Sequence, residues 1–235
     1  MSLPKIKYPI FELTLPSDKT KLTFRPFTVK EEKLLLIAQE SEATADRLRA
    51  IRQIVNNCML DLPKDIGLMP AFDLEYCFLK IRAKSVGNDV ELRYRDNTDG
   101  KIYEFNVDLD ALEVTFSDDH NLVIKFDDTL GVIMQYPTIE ILNAVDASNL
   151  EDTEATLVLV KKCITTIYDE ETTYDTADYT DDELDTFIEA LPGKHFQKIS
   201  QFFETMPVLK HDLHYRDTAG TEKTITLQGI DDFFQ

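Results

Sequence analysis

At 235 residues, 43% of them hydrophobic, the chain is long enough for one large domain or two small ones with a real core, which argues against global disorder. The 44 Asp and Glu against 25 Lys and Arg give a formal charge of −19. That charge repels phosphate, so it argues against general nucleic-acid binding and against an anionic membrane surface, and leaves a basic or mixed-charge protein partner open.

No stretch approaches the ~20 apolar residues of a membrane span. The start, Met-Ser-Leu-Pro-Lys-Ile-Lys-Tyr-Pro, has no long apolar run, so no signal peptide is expected and synthesis in a cytosol is. Cys58, Cys77 and Cys163 are odd in number and 19 and 86 residues apart, which suits neither a disulfide framework nor a zinc site. Each lies among apolar residues in an apparent helix and reads as a buried free thiol.

Residues 1–9 read as an extended arm, because Pro4 and Pro9 discourage helix. Phe11, Leu13 and Leu15 alternate with Glu12 and Thr14, so 10–15 predicts a strand; Lys21-Leu-Thr-Phe24 predicts its hairpin partner. Thr28 and Glu31 have capping-box spacing and open a helix whose apolar side holds Leu34, Leu35, Ile37 and Ala38. Arg25, just before it, is placed to pair with a helix carboxylate. A second helix is expected over 44–59, with Leu48, Ile51, Val55, Cys58 and Met59 on one face. A third covers 72–86, with Leu74, Cys77, Phe78 and Ile81 at helical spacing and Gly87 as its stop.

Val90–Arg95 and Lys101–Val107 both alternate, and Asp99-Gly100 between them signals a hairpin. Short strands over 112–116, 121–126 and 131–136 precede a helix over 139–145. The polar run Asp146-Ala-Ser-Asn149 sets a boundary between an N-terminal α+β lobe, 1–148, and a helical lobe, 149–235, ending in a hairpin. The second lobe starts with a helix over 153–168, carrying Leu157, Val160, Cys163, Ile164 and Ile167. The acidic stretch 169–182 reads as a solvated loop. Thr180 and Glu183 repeat the capping box before a helix with Leu184, Phe187, Ile188 and Leu191, broken by Pro192-Gly193. A last helix over 195–206 carries Phe196, Ile199, Phe202, Phe203 and Met206. Strands over 212–216 and 223–228 close the chain before the apolar pair Phe233 and Phe234.

The two long hairpins echo each other: Glu91-Leu-Arg-Tyr-Arg-Asp96 and Asp212-Leu-His-Tyr-Arg-Asp217, each after an apolar helix and each with a Gly-containing turn. The fold class expected is α+β, helices with antiparallel β-hairpins, in two similarly built helix–hairpin lobes.

No Gly-x-Gly-x-x-Gly, P-loop, Gly-x-Ser-x-Gly or His-Glu-x-x-His motif is present, and seven glycines are too few for a rich phosphate-cradling loop. His211 and His214, three apart on a strand, point to opposite faces and do not converge on a metal. The acidic run from Asp169 to Glu183 lacks the central glycine of a calcium loop. Asp108 and Asp110 would share a strand face, an arrangement that serves acid–base chemistry or a plain solvated edge. No catalytic, cofactor-binding or metal-binding residue is assigned, and no small-molecule substrate is expected. The candidate contact residues are Phe233, Phe234 and the hairpin tyrosines Tyr94 and Tyr215, together with the arm at 1–9 and the hairpin tips.

Phe24-Arg-Pro-Phe-Thr-Val-Lys-Glu-Glu-Lys-Leu-Leu34, the stretch from Phe72 to Gly87 with its hairpin, and the closing stretch from Phe196 to Phe234 together resemble the T4-type phage baseplate hub family, hub subunit and hub assembly catalyst included. The likeness covers most of the chain and is weakest over 137–180. Some relatives carry Cys-x-x-Cys pairs in such hairpins. This chain has Asp96-Asn-Thr-Asp99 and Asp217-Thr-Ala-Gly220 there, so no metal is carried over. The resemblance implies a non-enzymatic hub protein that takes part in or promotes hub assembly through contacts with other hub or tail proteins. It implies a place in the bacterial host cytoplasm during assembly, with the virion baseplate as a second location. The alternative is a transient tail assembly chaperone, for example for the tape-measure protein, absent from the mature virion.

Overall fold

The computed structural model describes residues 4, 6–40, 44–62, 65–148, 150–229 and 232. Among them the chain forms β1 (Phe11–Thr14), β2 (Lys21–Phe24), α1 (Val29–Gln39), α2 (Thr44–Cys58), α3 (Ala71–Val86), β3 (Asp89–Arg95), β4 (Ile102–Asp108) and β5 (Val114–Thr115). It continues through β6 (Val123–Lys125), β7 (Gly131–Met134), α4 (Ile139–Ala147), α5 (Asp152–Cys163), β8 (Ile164–Tyr168) and β9 (Thr173–Asp175). It ends with α6 (Asp181–Glu189), α7 (Gly193–Thr205), β10 (Val208–Arg216) and β11 (Glu222–Gln228). Every strand pairing is antiparallel, so the expected α+β class holds.

The chain divides into two compact units: Met1–Ile66 with Phe72–Thr115 and Val208–Gln235, and Gly67–Ala71 with Phe116–Pro207. This division differs from a boundary at 148–149. The closing hairpin β10–β11 belongs to the first unit, because Val208 and Leu209 pair with Thr115 and Val114 of β5. The expectation of two similarly built lobes is corrected on the same ground: both long hairpins lie in one unit.

In the first unit, β1 and β2 pair with Phe11 opposite Phe24, and Leu13, Leu15, Leu22 and Phe24 are buried. Ile51, Val55, Cys58 and Met59 of the second helical segment are buried, as are Leu74, Cys77, Phe78 and Ile81 of α3, at the spacing their sequence predicts. Gly87, at φ 127°, stops α3 in a conformation that costs other residues strain. On α1 only part of the expected apolar side is covered. Ala38 is buried and Leu34 and Leu35 are half-buried, whereas Ile37 is 55% exposed beside Leu36 at 56%. Glu31 takes the buried place instead.

The second unit packs the sheet β6-β7-β8-β9 with α5, α6 and α7 around Phe126, Val132, Met134, Val160, Cys163, Ile164, Ile188, Ile199 and Phe202. Its segment Gly67–Ala71 joins through two backbone hydrogen bonds, Ala71 N–H to Pro137 O at 3.2 Å and Ile139 N–H to Met69 O at 3.2 Å. The helix expected over 153–168 ends at Cys163, and β8 follows directly. Ile164-Thr-Thr-Ile-Tyr168 is rich in β-branched and aromatic side chains, which favour a pleated surface once β7 offers its edge. Ile167 then stands opposite Val132 and Ile164 opposite Met134. The acidic stretch likewise contains β9, paired to β8 through Tyr174 opposite Ile167. Cys58, Cys77 and Cys163 are free and buried, and burial pushes their thiols up: Cys58 to about 11, Cys163 to about 12, and Cys77 well above the ordinary value.

Candidate interaction surface

The two echoing hairpins are fastened to each other at their turns. In β3–β4, Tyr94 stands opposite Tyr103 and Leu92 opposite Phe105; in β10–β11, Tyr215 stands opposite Lys223. The Tyr215 ring lies 4.4 Å from Tyr103, 5.9 Å from Phe105 and 6.2 Å from Tyr94, centroid to centroid. Such ring separations are those of favourable aromatic pairs. The Tyr215 hydroxyl donates to Asp96 Oδ2 at 2.9 Å, and the Lys223 ammonium donates to the same oxygen at 2.6 Å. Asp96 Oδ1 accepts from the Thr98 amide at 2.8 Å and the Thr98 hydroxyl at 2.7 Å. Asp99 Oδ2 accepts from the Tyr103 hydroxyl at 2.7 Å and from the amide and hydroxyl of Thr218, each at 3.2 Å.

Asp96 is therefore 3% exposed although it sits at a turn. The Lys223 hydrogen bond, followed by those from Thr98, holds its carboxyl well below the usual carboxylate range. The Lys223 ammonium is raised in return, chiefly by its bond to Asp96, and it also reaches Asp217 Oδ2 at 3.4 Å. The turns at 96–99 and 217–220 thus meet here around an ammonium. Among the described residues no group of three or more His, Cys, Asp or Glu is arranged to hold a metal ion.

The structure brings Tyr94 and Tyr215 together but gives them different surroundings. Tyr94 is 38% exposed; Tyr215 is half-buried with its hydroxyl engaged. Phe233 and Phe234 lie outside the described residues. No sequence pattern marks Asp96, Asp99, Thr218 and Lys223 as partners, although the echo between Asp96 and Asp217 marks both turns.

Other candidates resolve into local structure. Asp108 caps a short turn by accepting from the Asp110 amide at 2.9 Å, while the Asp110 carboxylate takes Lys84 and, at 3.2 Å, Asn88. His214 Nδ1 lies 3.0 Å from Thr224 Oγ1. Arg25 pairs with Glu31 at 3.0 Å, as the sequence predicts, and also donates to Asn57 O at 3.0 Å. Further apolar surface lies on α1, where Val29 is 81% exposed and Leu36 and Ile37 are exposed about two turns on, and on the arm at Ile6 and Ile10. No helix among the described residues is long and apolar enough to cross a membrane.

No curated protein and no solved structure matches the chain. The family described as T4 bacteriophage base plate protein does match, over residues 8–235, a span that takes in both hairpins and both units. On that match the chain belongs to the T4 bacteriophage base plate protein family, with a structural or assembly role in the tail baseplate and contacts with other baseplate proteins.

Proposed function

We propose that this protein is a non-enzymatic component of the baseplate's central hub, which takes part in or promotes hub assembly through protein–protein contacts. The observation that carries the reading is the fastened pair of hairpins. Its turn carboxylates are engaged by groups of the other hairpin, and it leaves Tyr94 38% exposed on the face it shares with Tyr103. An aromatic side chain held this rigidly binds at low entropic cost. The exposed Val29, Leu36 and Ile37 of α1 add apolar surface in the same unit. The resemblance of the stretches from Phe24 to Leu34 and from Phe72 to Gly87 to hub proteins supports the hub over other baseplate positions. In this reading the protein assembles in the host cytoplasm and uses no cofactor, metal, nucleic acid or small-molecule substrate.

Quantitative mass spectrometry of purified virions and isolated baseplate intermediates tests it. A fixed copy ratio in both is the expected result. Presence in intermediates or free lysate with absence from virions would replace this reading with that of a transient assembly chaperone.

A further inference from the structure

The second unit carries a cleft of about 340 Å³ between the β8–β9 turn and α6. Its floor is apolar: Leu130, Ile167, Leu184 and Phe187, all half-buried. Two tyrosines stand at its side, Tyr174 and Tyr179, with ring centroids 6.3 Å apart and edge to face; Tyr179 is 40% exposed. Two carboxylates form the rim, Asp169 and Glu183.

Each carboxylate is held in place by the chain itself. Asp169 Oδ1 accepts from the amides of Glu171 and Thr172, both at 2.9 Å, and its Oδ2 from the Tyr174 hydroxyl at 2.8 Å. Glu183 Oε2 accepts from the amide and hydroxyl of Thr180 at 2.9 and 2.8 Å, which leaves Oε1 without a hydrogen bond among the described residues. The bond from the Glu171 amide lowers the Asp169 carboxyl and that from the Thr180 amide lowers Glu183, so both are ionised at neutral pH. Residues 169–183 contain eight Asp and Glu and no Lys, Arg or His. The nearby Lys161 is taken by Asp185 at 2.8 Å and Asp181 at 3.5 Å.

An apolar floor suits an aliphatic stem, a tyrosine face suits a planar cation, and two oriented carboxylates suit its donors. We propose that this cleft is a docking site for an arginine side chain presented by a basic, apolar-flanked segment of another protein. A second copy of this chain is a poor occupant, since it brings a charge of −19 to an acidic face. The proposal stands whether or not the partner belongs to the hub.

The test uses the full-length protein and a fluorescein-labelled peptide, Gly-Leu-Arg-Leu-Gly, read by anisotropy, with citrulline or lysine replacing arginine as controls. Citrulline keeps the shape and loses the charge; lysine keeps the charge and loses the planar face. The arginine peptide is expected to bind on the order of tenfold tighter than the citrulline one and to weaken as salt screens the rim. Tyr179→Ala and Glu183→Gln should each weaken it by about fivefold, whereas Glu170→Gln, the same loss of charge beyond the cleft lining, should change it little. Amide and ring shifts of Tyr174, Tyr179, Leu184 and Phe187 should move on titration. Equal affinity for the arginine, lysine and citrulline peptides would overturn the assignment. So would an equal effect of Glu170→Gln and Glu183→Gln, shifts elsewhere in the chain, or concentration-dependent shifts at the cleft without peptide, which would assign it to self-association.

Discussion

Glu31 is fully buried, yet it is ionised. Burial raises its carboxyl, and the hydrogen bonds from Arg25 and Thr28 outweigh that and hold it at about 2 against an ordinary 4.5. The Arg25 guanidinium is shared with Asn57 O, and its own amide donates to Cys58 O at 3.0 Å, so this pair fastens the β2 exit, the start of α1 and the end of α2. A carboxyl depressed in the folded state stabilises above its unfolded value, and that stability is lost as pH falls through the folded one. Urea unfolding should therefore show the wild type losing on the order of 3 kcal/mol from this group between about pH 4.5 and pH 2. Glu31→Gln, which leaves the arginine without its charge partner, should cost about 3 kcal/mol at pH 7 and flatten that part of the profile.

Gly131, in β7, is a second position where one residue decides local packing. A Cβ there would lie 2.2 Å from the Tyr168 hydroxyl oxygen and 2.6 Å from the Ile124 carbonyl oxygen. The tyrosine ring can swing away, but the carbonyl belongs to the β6–β7 ladder, where Ile124 pairs with Val132. Gly131→Ala should destabilise the protein by about 2 kcal/mol, visible as a lowered urea midpoint, and Gly131→Ala with Tyr168→Phe should recover little of it.

At the scale of elements, the fastened hairpins make a pH prediction of both signs. Asp96 is depressed, so its contribution fades as pH falls below the ordinary carboxylate range; Lys223 is raised, so its contribution fades as pH rises past the ordinary ammonium range. Tyr215→Phe and Lys223→Met should each speed amide exchange at Thr218 and Gly100 in the turns while leaving the amides of α5 and α7, in the other unit, unchanged. On α1, Leu36→Ser with Ile37→Ser removes exposed side chains and should alter stability within about 0.5 kcal/mol. It should lower incorporation into baseplates in a complementation assay.

The elements differ in how far the sequence discloses them. Both capping boxes are readable because their partners lie three residues apart, and Thr28–Glu31 and Thr180–Glu183 form reach-back bonds at 2.9 Å. The β3–β4 hairpin is readable because Asp99-Gly100 sets its turn, with Gly100 at φ 71°. Ile164 and Ile167 mislead because a three-residue apolar interval fits a helix as well as a strand, and the β7 edge decides between them. The candidate surface is less disclosed. Tyr215 meets Asp96 across 119 residues of chain and Lys223 meets it across 127, so no local pattern announces either bond.

The whole molecule is organised by that same long reach. The first unit draws on three separate segments, and the second takes Phe116–Pro207 plus a short piece from before α3. Boundaries argued from composition follow the order of the chain; these units do not, which is why a cut near 148 misses them. A chain stopped after Pro207 keeps every segment of the second unit and loses one segment of the first. Its unfolding should show the second unit's amides still protected from exchange, with those of β3, β4 and β5 exposed.

The pairing of Thr115 with Val208 has a consequence for how the protein is made. The ribosome delivers β5 long before its partner, so the first unit waits, unfinished, while ninety-odd residues are added. Prematurely terminated copies lack the strands that bury Asp96 beside Lys223, and they display Tyr103 and Phe105 without the ring that covers them. The fastened pair of hairpins is thus complete only after β10 and β11 have been made, and a copy truncated before them lacks it.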